Sequence, residues 1–134
     1  MPHVDRQTRD QVEAKIRWTR YINPTGGNDR AYGVCIFDDY IAVVGHVRDP
    51  SDRPYVALLR KSDGVVVREW IGEDGWFLNC ISIDGRLYAI GAAIYVFDEN
   101  LNILARIRSE GDSIYTSLAY DGKALYIGGV TLED

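Results

Sequence analysis

The sequence predicts an all-β chain assembled from three copies of one four-stranded antiparallel unit. Glycine (13), tyrosine (9) and frequent valine and isoleucine supply what half-buried pleated strands favour, and runs of good helix formers are scarce. One pattern recurs: YGVCIFDDYIAVVG at 32–45, FLNCISIDGRLYAIG at 77–91 and YTSLAYDGKALYIG at 115–128. Each copy sets a turn signal between two short apolar runs, at Asp38-Asp39, Asp84-Gly85 and Asp121-Gly122, which reads as a β-hairpin.

The first element is expected within 12–22, where Val12, Ala14, Ile16 and Trp18 alternate with polar residues as on one face of a half-buried strand; residues 1–11 read as a polar tail. The leading aromatics Tyr32, Phe77 and Tyr115 lie 45 and 38 residues apart, and each opens the first two strands of its copy. Third strands are expected at 55–60, 94–98 and 130–134, and fourth strands at 65–70 and 103–107. The last copy lacks a fourth strand, and the segment at 12–22 is available to supply it. One domain, 12–134, is therefore expected, with units at 12–22, 32–71, 77–108 and 115–134.

Lettered by strand, the order is d, abcd, abcd, abc, which resembles the permuted layout of β-propellers, where one blade combines strands from both chain ends. The resemblance covers residues 12–134, and the segment DGKALYIGG at 121–129 looks like the hairpin of many propeller repeats. No Trp-Asp dipeptide closes a blade, and the kelch-like pair Gly128-Gly129 occurs in one copy only, so no specific propeller family is indicated. Closed propellers carry roughly 4 to 8 blades, so three cannot close a ring. The resemblance thus implies a homo-oligomer: a six-bladed dimer in which each N-terminal strand completes its partner's last blade. Three sheets packed compactly within one chain are the competing arrangement.

Composition narrows the functional classes. A net charge of −5 disfavours nucleic acid and anionic lipid as partners. No charged-then-apolar leader opens the sequence and its longest apolar run, 89–97, is far below the ~20 residues of a membrane helix, so a cytoplasmic protein is expected. Cys35 and Cys80 suit neither a disulfide-rich scaffold nor a zinc site and read as buried thiols. Neither a nucleophile signature nor a phosphate-binding glycine loop is present.

Candidate binding residues fall in the loops that propellers gather on one face. Asp29, Asp74 and Asp112 each stand three residues before a leading aromatic. Such a set fits a divalent cation such as calcium, or a cationic ligand, but a feature repeated in every copy is more simply explained by a structural role in which each carboxylate caps nearby backbone N–H groups. The segment at 46–54, HVRDPSDRP, reads as the one long insertion and concentrates His46, Arg48, Asp49, Asp52 and Arg53, as a grafted site or as a self-paired surface loop. Trp76 offers a stacking surface beside Asp74. Two functions are compatible with these residues: a non-enzymatic recognition or scaffold module binding a protein or small ligand, and a metal-assisted hydrolase or lactonase-like enzyme with carboxylates at the channel mouth.

Overall fold

A computed structural model describes residues 15–27, 29–48, 50–108 and 113–131, and among them the chain forms ten strands and no helix. Four strands, β1 (Arg30–Phe37), β2 (Tyr40–Arg48), β3 (Asp52–Arg60) and β4 (Val66–Ile71), pair in chain order as sheet 1. Sheet 2 repeats this with β5 (Phe77–Ile83), β6 (Arg86–Gly91), β7 (Ala93–Phe97) and β8 (Ile103–Arg108). Sheet 3 is the hairpin of β9 (Ser113–Tyr120) and β10 (Leu125–Thr131). All pairings are antiparallel. No helix among the described residues is long and apolar enough to cross a membrane.

The turn chemistry acts as expected. In the β5–β6 hairpin Asp84 and Gly85 take φ of 51° and 76°, the pair of positive values that a two-residue turn matched to the strand twist requires. In the β9–β10 hairpin the Asp121 carboxylate accepts the amides of Lys123 and Ala124 at 2.8 and 2.9 Å, which closes a four-residue loop.

Two expectations need correction. Val130 and Thr131 do not open a third strand; they continue β10 opposite Ile114 and Ser113. Residues 132–134 lie outside the described part, so the third unit is two-stranded among described residues instead of a four-stranded blade. Nor do residues 15–22 form a paired strand, while residues 1–14 lie outside the description. The segment lies across the β3–β4 turn, where Trp18 Nε1 donates to the Lys61 carbonyl at 2.6 Å and Arg20 Nε to the Gly64 carbonyl at 2.9 Å.

The three units share a feature finer than strand order. In each first hairpin the strand register slips by one residue, and the extra residue is Tyr32, Leu78 or Thr116. Opposite each bulge stands a glycine, Gly45, Gly91 or Gly129. A Cβ there would strike the carbonyl of Arg30, Trp76 or Ile114, so the bulge fits only against a residue without a side chain. This frame sets the repeat intervals at 46 and 38 residues and corrects the sequence alignment: the third glycine is Gly129, not Gly128, and Tyr32 is the bulge itself, with Ala31 in the place of Phe77 and Tyr115.

Side chains alternate faces along each strand, so every sheet has two faces, and sheet 2 turns one toward sheet 1 and the other toward sheet 3. Phe37, Ala42, Val44, Val56 and Leu58 of sheet 1 meet Phe77, Cys80, Leu87, Ala89, Tyr95 and Phe97 of sheet 2 in the main core. Trp70 of β4 covers its edge, its ring 5.0 Å from that of Phe97 and 5.3 Å from that of Tyr95. Sheet 3 packs on sheet 2 through β9. The opposite face of sheet 1 is apolar as well, with Val47, Tyr55, Ala57 and Leu59 under Trp18 and Ile22.

Candidate functional site

The segment expected to be a long loop is mostly ladder. His46↔Pro54, Val47↔Arg53 and Arg48↔Asp52 continue the β2–β3 pairing. Extending a ladder satisfies backbone groups that a loop of the same length would leave to water. The extended hairpin reaches the segments that precede β1 and β5 and holds both. Gly72 N donates to the Pro54 carbonyl at 2.9 Å and Gly75 N to the Asp52 carbonyl at 3.2 Å. Arg53 Nε returns a bond to the Gly72 carbonyl at 2.8 Å.

Asp29 ties the third segment to this end. Its carboxylate accepts the Thr25 hydroxyl at 2.7 Å, the Thr25 amide at 3.1 Å and the Arg48 amide at 3.1 Å. Partial burial raises the acid's pKa, but the donors from Thr25 and Arg48 outweigh it and hold the carboxyl below its ordinary range. Both oxygens are thus committed to backbone and loop.

The remaining candidates divide between structural work and exposure. His46 is buried, edge-on to the Tyr32 ring at 5.4 Å. Arg48 and Asp52 form an exposed ion pair whose closest atoms are 3.6 Å apart, too long for a hydrogen bond; the Asp52 Oδ1 that faces Arg48 is shielded from water and accepts none. Trp76 is half-buried, with its carbonyl beneath Gly91. Asp74 is exposed, and its carboxylate has no hydrogen bond or ion pair among the described residues. Asp49 and Asp112 lie outside those residues.

The structure therefore brings Asp29, Arg48, Asp52, Arg53 and the 72–76 segment together at one end, but does not make the aspartates equivalent. Asp29 stands two residues before Ala31, whereas Asp74 and Asp112 stand three before Phe77 and Tyr115, so Asp29 matches Gly75 and Ser113 in the bulge frame. Among the described residues no three of His, Cys, Asp and Glu converge as a metal would need.

The apolar outer face of sheet 1, as expected of an end unit, is carried by Ile41, Val43, Val47, Tyr55, Ala57 and Leu59, alternating with a second apolar set on the same strands. Sequence reasoning missed the meeting of Cys35 and Cys80, hidden because the two look like equivalent repeat positions when they are one residue out of frame. Compared with family models, curated proteins and solved structures, the chain matches none.

Proposed function

We propose that the chain is a non-enzymatic, β-propeller-like recognition module that completes a six-bladed ring with a second copy and binds a protein or small ligand at the end built from segments 23–31, 46–54 and 72–76. The observation that carries this reading is the pair of terminal faces. Cys35, Phe37, Ala42 and Val44 of sheet 1 bury against sheet 2, while their counterparts in sheet 3 include Ala119, Tyr126 and Gly128, with Tyr126 58% exposed. Cys80, Leu87 and Ala89 of sheet 2 bury against sheet 1, while the counterparts in sheet 1 include Val34, 64% exposed, with Ile36 beside it, also 64% exposed. One chain thus ends in two halves of a contact that it makes internally.

A second copy is the occupant these faces fit, because its sheet 3 carries the face complementary to sheet 1 in every copy. The N-terminal segment supports the same reading. Trp18 and Ile22 pack over β3 residues Tyr55, Ala57 and Leu59, much as Trp70 of β4 packs over β7 residues Tyr95 and Phe97. Residues 15–22 lie where the last strand of a preceding sheet would lie, beside an open groove of about 360 Å3 lined by Trp18, Ile22, Val34, Ile41 and Leu59. A partner's sheet 3 has a β10 edge to offer that segment.

Recognition is favoured over catalysis because the polar groups at the loop end hold the loops. Asp29 and Arg53 are committed to backbone, and Asp74, exposed beside Trp76, remains to contact a ligand. The discriminating variant is Ile36→Asp, which puts a charge on the outer face of sheet 1. Self-association should be lost while the far-UV circular dichroism stays that of the parent. An Ile36→Asp protein that still associates with unchanged strength would remove this face from the account.

A further inference from the structure

We propose that Cys35 and Cys80 form an intramolecular disulfide that staples sheet 1 to sheet 2. The thiols lie on β1 and β5, the first strands of neighbouring sheets, and their sulfurs are 2.7 Å apart. That separation is already inside the contact distance of two unbonded sulfurs, against about 2.05 Å for the bond itself.

The backbone explains why they meet. A Cβ on Gly33 would run into Asn79 Cα and the Leu78 carbonyl, so β1 and β5 approach main chain to main chain just before the cysteines. The bulge frame then places Cys35 on the face of sheet 1 that looks toward sheet 2, and Cys80, which matches Val34 and not Cys35, on the face of sheet 2 that looks back. Equivalent positions would have pointed the same way and could not have met. Cys80 Sγ also rests 4.0 Å from the carbonyl of Ala42, the residue paired with Cys35.

The two thiols differ in reactivity. Cys80 is buried, and its contact with Cys35, together with burial, raises its thiol pKa, so it is the less ready of the two to attack first. Cys35 is only half-buried and is the less enclosed of the two. With a low-molecular-weight disulfide of the glutathione type as oxidant, the Cys35 thiolate attacks one of its sulfurs, forming a mixed disulfide and releasing one thiol. Cys80 then loses its proton and attacks the Cys35 sulfur, and the second small thiol leaves. Two protein thiols are oxidised, one small disulfide is reduced to two thiols, and the two protein protons end on those thiols.

The test incubates the full chain with oxidised glutathione, blocks remaining thiols under denaturing conditions, and reads intact mass and a proteolytic map. The unmodified chain should lose both thiols, keep no glutathione and yield one crosslinked pair holding Cys35 and Cys80 from a single monomer. Cys80→Ser should instead retain glutathione on Cys35, because the resolving thiol is gone. Two blockable thiols remaining in the oxidised parent, or a Cys35–Cys80 link found only between chains, would overturn the proposal.

Discussion

Gly91 and Gly85 belong to the same hairpin and are glycine for different reasons. At Gly91 the obstacle is steric, since a Cβ would meet the Trp76 carbonyl. At Gly85 there is open space, and the constraint is a φ of 76°. Gly91→Ala should therefore lower the urea midpoint by the equivalent of about 2 kcal/mol or more, and Gly85→Ala by about 1 kcal/mol, the usual cost of one left-handed non-glycine residue. Equal losses would mean that the bulge is not under steric control. The aspartates divide in the same way. Asp29 has a depressed folded pKa, so its contribution is fully present above its ordinary value of 3.8 and is lost as pH falls through the lower folded value. The stability gap between parent and Asp29→Asn, followed by thermal melts, should close as pH drops below that window. Asp74→Lys, with no partner to lose among the described residues, should leave the melt within about 0.5 kcal/mol of the parent. Sequence placed these residues in loops but did not distinguish them, because a carboxylate that caps backbone and one that faces water are the same letter.

Among the elements, the eight strands of sheets 1 and 2 were legible because alternating β-branched residues and Asp-Gly turns both point to hairpins. What was not legible was the frame. The shared aromatic and cysteine letters align at 45 residues, whereas the glycines Gly45 and Gly91, and the structure with them, align at 46. With a side-chain period of two, that single residue reverses every face assignment, which is why the cysteines read as repeat positions and not as a facing pair. The segment at 46–54 was misread for a related reason: two prolines and four charges look like loop, yet the β2–β3 ladder runs through His46↔Pro54 to Arg48↔Asp52. If the Cys35–Cys80 bond forms, it closes a loop spanning 45 residues, and chain-entropy arithmetic assigns it about 4 kcal/mol against the reduced form. Paired denaturant melts with and without reductant measure that difference; identical midpoints for verified oxidised and reduced protein would contradict a stapling role.

For the whole molecule, sheet 2 is packed on both sides, by sheet 1 and by sheet 3, whereas among the described residues the outer face of sheet 1 carries Trp18 and Ile22 and leaves Val34 and Ile36 exposed. Sequence repeats pointed toward open end faces, because three propeller-like units are fewer than the proposed ring needs. They did not reveal how the N-terminal segment behaves alone, since pairing depends on a neighbour that the segment's own residues do not encode. Ile36→Asp tests one end face locally. Absolute mass by light scattering over a dilution series tests the whole arrangement. The account predicts a mass near twice 15.1 kDa that falls toward one chain only at high dilution. A mass of 15.1 kDa at every concentration would contradict it.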